Sequence, residues 1–374
     1  MRSNYVAVLD VRSSELTAVV GERGVNNTFI IKSKYTCAYD GYAEGTMLDK
    51  NSFISAVSEV VRNTLGSSSG IKTFYIGVPG EFLKLVNTDK IITFQSAKKI
   101  HKSDLQTLAR MSAPVTEDNW RTIRNSCIYY VLSDKRKVID PVGAITDSLQ
   151  GRFCFFKCNT NFVDCLMEAF KKFTDISNIN LIPATLAEAL YLVEPEKRDE
   201  CSILFDLGYI SSTYSVVCGN GLLYSESFSV GIGHVAFYLM DELNIPFDVA
   251  STFLSTVNLN AKEKLNSQEE CIYNGKTYSF STVTLRDKIR EGLDLICETI
   301  EVCRQNFSGR SIDGKPILIT GEGVKIIRGA VDHISGRLVK SVEVTSPKVP
   351  YYDKPQFASI FSLLDTALKD AQNK

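Results

Sequence analysis

Two aspartates in this chain are set up for the same chemistry. Asp10 closes the apolar run Tyr5-Val-Ala-Val-Leu-Asp10, and Asp206 closes Ser202-Ile-Leu-Phe-Asp206. Each runs into a short polar turn: Asp10-Val-Arg-Ser-Ser-Glu15 in the first case, Asp206-Leu-Gly-Tyr-Ile-Ser-Ser-Thr213 in the second. Such a turn can aim backbone N–H groups and hydroxyls at phosphate oxygens, provided no side chain fills the space above it. The carboxylate behind it can hold a magnesium ion through water. Ser13 and Ser14 in the first turn, and Gly208, Ser211 and Ser212 in the second, are therefore phosphate-binding candidates. Asp10 and Asp206 are the candidate magnesium ligands. A third small turn, with Gly321 and Gly323, follows the apolar run Pro316-Ile-Leu-Ile-Thr320.

The elements that must position these residues read as one unit used twice. After Asp10 come Leu16-Thr-Ala-Val-Val20, a Gly turn and Thr28-Phe-Ile-Ile31. After Asp206 come Thr213-Tyr-Ser-Val-Val217, the Gly219-Asn-Gly221 turn and Leu222–Phe228. Strand, aspartate, tight turn, strand, Gly turn, strand occurs in the same order both times. Internal repetition implies two related halves facing each other, each offering an aspartate to the cleft between them.

The chain has 374 residues, 44% hydrophobic and 23% charged, with a formal net charge of −1. That length allows two or three domains. The charge balance gives no electrostatic footing for nucleic acid or an anionic membrane. No apolar run is long enough to span a bilayer. The first strand starts too early to leave room for a signal peptide. Ten cysteines are scattered through apolar and helical patterns, and only Cys154 and Cys158 raise a metal question. The expectation is a reduced, cytoplasmic protein.

Between the repeats, Ser52–Leu65 carries a helical stripe that stops at Gly66–Gly70, and 72–78 resumes as a strand. From Pro79 to about Thr160 the pattern changes to a small α+β block. It has strands near 82–86, 90–94, 127–131 and 152–157, and a helix over 102–111 capped by Ser103. Lys98–Lys102 reads as a solvated loop. Helices are expected over Asn161–Phe173 and over Ile182–Leu190, the latter with Pro183 in its first turn. Glu194–Glu200 is a charged linker. Further helices are expected around Val235, Ala236, Leu239 and Leu243, over 285–303 and over 357–368, and Asn274-Gly275 marks a hairpin.

The ordered set of motifs resembles the bacterial cell-division family FtsA, of the actin-like and heat-shock-ATPase superfamily. Val8-Leu-Asp-Val11 and Leu204-Phe-Asp-Leu-Gly208 sit where that family has its two phosphate loops, and Ile317-Leu-Ile-Thr-Gly321 resembles its adenosine strand and turn. Asp140-Pro-Val-Gly143, Pro350-Tyr-Tyr352 and Phe357-Ala-Ser359 are similar to the end of its inserted domain and to its closing segment. The resemblance implies an actin-like (ribonuclease H-like) two-domain α/β fold with a small inserted α+β domain of SHS2 type. The first domain would comprise 1–78, 161–198 and 346–374, the insertion 79–160, and the second domain 199–345, with 258–300 as its outer subdomain. It implies ATP and magnesium as cofactors, a water-positioning role for Glu188, self-association, and a tubulin-like FtsZ partner at the division septum. A scaffold of PilM type, serving a pilus or secretion apparatus, and a working ATPase are the alternatives.

The chain departs from the family pattern where nucleotide would bind. Arg12 stands in place of a glycine, Tyr209 and Ile210 replace two more, and Glu322 replaces another. Ser251 and Leu254 align with a Glu and a Lys of the base and ribose site. Those changes predict weak or lost nucleotide binding, and a scaffold rather than an enzyme. The chain stops at Lys374, just after the closing helix, so the expectation is no membrane anchor of its own and recruitment only through partners.

Overall fold

The computed structural model describes residues 5–66, 70–262, 267–309 and 312–372; Ser67–Ser69 of the predicted Gly66–Gly70 stop lie outside them. The chain opens with β1 (Val6–Val11), β2 (Glu15–Arg23) and β3 (Phe29–Ala38), then a ribbon of β4 (Tyr42–Ala43) and β5 (Thr46–Met47). Helix α1 (Lys50–Leu65) follows, capped by Asp49, whose carboxylate accepts from the Asn51 and Ser52 N–H groups. Its buried stripe Phe53, Ala56, Val57, Val60 and Val61 covers one face of the sheet. Next comes β6 (Thr73–Val78).

The inserted block is β7 (Leu83–Lys99), α2 (Lys102–Met111), β8 (Trp120–Leu132), β9 (Lys137–Val138) and β10 (Ile145–Asn159). Its sheet has the order β7-β10-β8-β9. The two short strands expected at 82–86 and 90–94 are one long strand, because β10 pairs along its whole length. The α2 cap is His101, not Ser103: Asp104 accepts the His101 N–H at 2.9 Å, completing a capping box. Lys98–Lys102 is not a solvated loop throughout, since Ile100 is fully buried against Leu108 and Phe153.

The chain then returns through α3 (Thr160–Phe170), β11 (Asn178–Pro183) and α4 (Ala184–Leu192). The predicted helix over Ile182–Leu190 begins only at Ala184. Ile182 and Pro183 still pair with Gly77 and Val78 as the end of a strand. The second half is α5 (Pro195–Asp199), β12 (Ser202–Leu207), β13 (Ser212–Cys218), β14 (Gly221–Phe228), α6 (Gly233–Leu243) and α7 (Phe247–Thr256). It continues with the hairpin β15 (Gln268–Tyr273) and β16 (Lys276–Ser281), then α8 (Thr282–Asn306), β17 (Ile317–Thr320), α9 (Ala330–Leu338) and β18 (Val342–Val344). Helix α10 (Ala358–Gln372) closes the chain against α4, β1 and β2. None of the described helices is long and apolar enough to cross a membrane.

The repeat is borne out strand by strand. The two large sheets run β11-β6-β1-β2-β3 and β18-β17-β12-β13-β14. Asp10 faces Thr17 across β1–β2, and Asp206 faces Thr213 across β12–β13. On the parallel side Asp10 faces Gly77 and Asp206 faces Thr320. Both aspartates therefore leave equivalent strand ends.

The inserted sheet is not a detached module. Ile128, Cys154 and Phe156 are part of the same apolar core as Ile203, Val217 and Leu222 of the second half. Ile128 lies against the Gly219–Gly221 turn, where its carbonyl accepts the Asn220 N–H at 3.0 Å. Removing 79–160 would uncover apolar residues of the second half's core. Ile128→Ala is expected to cost about 2–5 kcal/mol in denaturant unfolding, as for other fully buried isoleucines. Lys90→Ala, on the exposed outer strand, should leave the midpoint unchanged.

Candidate functional site: the cleft between the halves

Arg12 occupies the centre of the cleft. The β1–β2 turn is closed by the Arg12 N–H donating to the Glu15 carbonyl at 3.0 Å, and the Tyr39 hydroxyl donates to the Arg12 carbonyl at 2.7 Å. So held, the guanidinium crosses to the other half. It meets Asp206 in a two-pronged pair, Nη1 to Oδ2 at 2.9 Å and Nη2 to Oδ1 at 3.0 Å. Glu188 of α4 stands 3.5 Å from Nη1. The side chains of Arg12, Glu188 and Asp206 are 13%, 3% and 17% exposed, so the group is largely out of water.

The charges around Arg12 are lopsided. Burial would lower its pKa, but Asp206, Glu322, Asp10 and Glu188 together hold it well above the ordinary value. Burial pushes Asp10 up to about 6, against the pull of Arg12 and of Ser359, whose hydroxyl donates to Asp10 Oδ1 at 2.8 Å. Burial and the neighbouring Asp206 drive Glu188 far above the usual carboxylate range. Burial also raises Glu322.

Two donors of the second loop are already engaged. The Tyr209 N–H donates to Glu322 Oε1 at 3.0 Å, and the Ile210 N–H donates to Ser13 Oγ at 3.1 Å. The second bond again joins the two halves. Farther out, the Glu44 N–H donates to Ser229 Oγ at 2.6 Å, and that hydroxyl donates to Glu81 Oε1 at 3.0 Å. Gly80 comes so close that a Cβ there would meet Ser227 Oγ at 2.0 Å.

Of the residues singled out by sequence, Ser13, Glu188, Asp206, Gly208 and Ser211 line one small cavity with Arg12, and Asp10 sits beside it. Ser14 contributes its carbonyl to the Tyr39 N–H. Ser212 is buried inside β13. Gly321 and Gly323 let the turn after β17 press on the second loop. A Cβ on Gly321 would strike Asp206 Oδ1 at 2.2 Å, and Gly321 has φ +101. Asp10 and Asp206 do not stand as a free carboxylate pair: both Asp206 oxygens are bonded to Arg12. Among the described residues no cluster of three or more His, Cys, Asp or Glu is arranged to hold a metal ion. Cys154 and Cys158 lie four apart on one strand, which separates them by about 13 Å.

ATP with magnesium does not fit the small cavity at Arg12. The cavity enclosed by Arg12, Glu188, Asp206 and Gly208 is about 20 Å³, room for about one water. A second cavity of about 350 Å³ opens beyond Arg12, lined by the carboxyls of Asp10, Glu15 and Glu322 and by the cations Arg12 and Lys34. What the residues do is neutralise one another across the cleft and hold it shut. Sequence reading marked Arg12 as a departure from the family's glycine. The signal for its actual partner was there in part, since a long cationic side chain replaces a glycine directly opposite Asp206.

The architecture is the actin-like two-domain α/β fold. The chain is similar to a chain of the PilM–PilN type IV pilus biogenesis complex, with 13% identity over 97% of this chain and 98% of that one and a TM-score of 0.64. It is similar to MreB5 of Spiroplasma citri bound to ADP, with 11% identity over 100% and 99% of the two chains and a TM-score of 0.57. It is also similar to the ethanolamine utilization protein EutJ from Carboxydothermus hydrogenoformans, with 12% identity over 96% and 89% and a TM-score of 0.54. No protein-family model and no curated protein sequence matches the chain.

Two outcomes follow for stability. Arg12→Ala leaves Asp206 and Glu188 without their cation, and breaking one side of a buried pair costs about 3–5 kcal/mol. The loss, read by denaturant unfolding at about pH 7.5, should shrink toward about pH 5 as the raised carboxyls take up protons. For Asp10 the folded pKa lies above the unfolded value of 3.8, at about 6. The folded state therefore binds the proton more tightly, and this residue's contribution worsens as pH rises through that window. Asp10→Asn is expected to stabilise by roughly 2–3 kcal/mol at about pH 7.5, with the gain vanishing near about pH 4.

Proposed function

We propose that this chain is an actin-fold scaffold whose closed cleft is held by its own side chains, and that it works by binding partners or copies of itself rather than by turning over nucleotide. The observation that carries this reading is the Arg12–Asp206 pair. It places a permanent cation where the fold's two aspartates would otherwise share magnesium, and it does so from one half to the other. The engaged Tyr209 and Ile210 amides add to it, because they are the donors a phosphate would need.

Within that reading the resemblance of the motifs favours a role in bacterial division beside a tubulin-like FtsZ partner, reached from the cytoplasmic side. A pilus or secretion scaffold is the second form of it, favoured by the similarity to a chain of the PilM–PilN complex, an assembly of two proteins. The inserted sheet is the proposed recognition surface. Its long outer strand β7 is an edge of the sheet, and Ile91 on it is 56% exposed. The enzymatic reading requires Glu188 to position water beside ATP and magnesium, with Asp10, Asp206 and the loop residues Ser13, Ser14, Gly208, Ser211, Ser212, Gly321 and Gly323 around them.

Calorimetric titration with ATP and magnesium separates scaffold from enzyme. The expected dissociation constant is weaker than about 100 μM, less than roughly 5.5 kcal/mol of binding. Micromolar binding with phosphate release would establish the ATPase and sink the scaffold reading. Partner binding is tested on folded protein by Lys90→Glu with Ile91→Glu. Self-association or co-sedimentation with an FtsZ-like polymer should fall at least several-fold, and an unchanged result removes β7 as the recognition edge.

A further inference from the structure

A cavity of about 340 Å³ opens between the inserted sheet, the edge strand β11 and the end of α10, and two arginines of β8, Arg121 and Arg124, line it. That volume lies in the range that admits small molecules. The start of β8 is built to set the two arginines side by side. Residues three apart on a regular strand point to opposite faces. Here a register shift skips Ile123, so Arg124 faces Phe156 and Arg121 faces Cys158. Phe156 and Cys158 are two apart on β10 and share a face, and the arginines opposite them share it too. Re-aiming a side chain is what such a bulge does.

The two guanidiniums are differently engaged. Arg124 holds Asp370, near the end of α10, in a two-pronged pair, Nη1 to Oδ2 at 2.7 Å and Nη2 to Oδ1 at 2.9 Å. Arg121 is exposed and has no ion-pair partner among the described residues. Asp370 is the one acidic residue lining the cavity, so its wall carries more base than acid. Asn180, on the open edge of β11, adds an Nδ2 that is buried without an acceptor. Val163 of α3 and Ile179 of β11 give the cavity an apolar side.

We propose that this cavity binds a small phosphate monoester, and that Asp370 holds the place of the phosphate in the free protein. Two guanidiniums on one face match a doubly charged oxyanion, which a phosphate monoester is above its second pKa of about 6. A single carboxylate satisfies only one of them, as Asp370 does. The phosphate meets Arg121 first, since no bond has to break there, and then takes Arg124 from Asp370. The organic group lies against Val163 and Ile179. Because Asp370 competes for Arg124, occupancy frees the end of α10 from the inserted sheet. This lining shares no residue with the small cavity at Arg12, so the two sites are separate.

The probe is phenyl phosphate, titrated calorimetrically into the full chain at about pH 7.5, with inorganic phosphate as its comparison. Phenyl phosphate is expected to bind several-fold tighter than inorganic phosphate, because only it reaches the apolar side. Arg121→Ala, at an exposed residue, should weaken that binding several-fold. Asp370→Asn should tighten it several-fold by removing the competitor. The proposal fails if Arg121→Ala binds as the wild type does, since the anion then sits elsewhere. It fails equally if Asp370→Asn binds no tighter, or if neither protein binds phenyl phosphate in the millimolar range. Equal affinity for the two probes overturns the monoester as the ligand.

Discussion

One guanidinium organises this cleft. Arg12 is a single cation among four carboxyl groups, Asp10, Glu188, Asp206 and Glu322. A carboxyl taken out of water beside other carboxyls protonates unless a cation compensates it. Three of these groups are indeed pushed upward, Asp10 only to about 6. The fourth, Asp206, receives both prongs of the guanidinium. That geometry requires the halves to stay at their present separation, because the two partners belong to different sheets. Opening the cleft would break both prongs and let water reach the separated charges.

The backbone around Arg12 keeps the repeated frame although side chains fill the space between the two aspartates. Asp10 and Asp206 leave equivalent strand ends with equivalent partners, Thr17 and Thr213. The frame is set by strand register, which side-chain changes in the turns leave intact. The glycines that remain serve packing. Gly208 lets the loop fold onto the Ser211 carbonyl, and Gly321 and Gly323 let the turn after β17 lie against Leu207. Tyr209 and Ile210 fill out the same loop, and their N–H groups close on Glu322 and Ser13. Two of the turn's N–H groups are thus engaged by side chains, one of them from the other half.

Much of this was legible before the structure. The duplicated strand–aspartate–turn order depends on local alternation and turn residues, which sequence carries directly, and it led to the right fold. The misses have physical causes. β11 was hidden because Ile182 and Pro183 also suit a helix start, and only pairing with β6 decides for strand. The two short strands of the insertion merged into β7 because β10 supports the polar stretch Asn87–Lys90. The His101 cap depends on Asp104 reaching back to a backbone N–H. The Arg12–Asp206 pair joins residues brought together only by the facing of the two repeats. The substitution of a glycine announced a change without naming the partner.

The inserted sheet makes the cleft pair part of a larger restraint. Its chain leaves the first half after β6 and rejoins it at α3, yet Ile128, Cys154 and Phe156 pack into the core of the second half. Cys158 and Phe162, at the rejoining end, belong to the first half's core. Helix α4 does the same from the other side, with Leu186, Ala189 and Val193 in the second core and Ala184 and Ala187 against α10. The halves are thus joined by a charged pair in the cleft and by apolar seams at two other places. Apolar contact resists separation in any direction, whereas the two-pronged pair resists rotation as well, because it needs both oxygens aligned. The halves of this fold are therefore held by charge at the cleft and by apolar contact at two further seams.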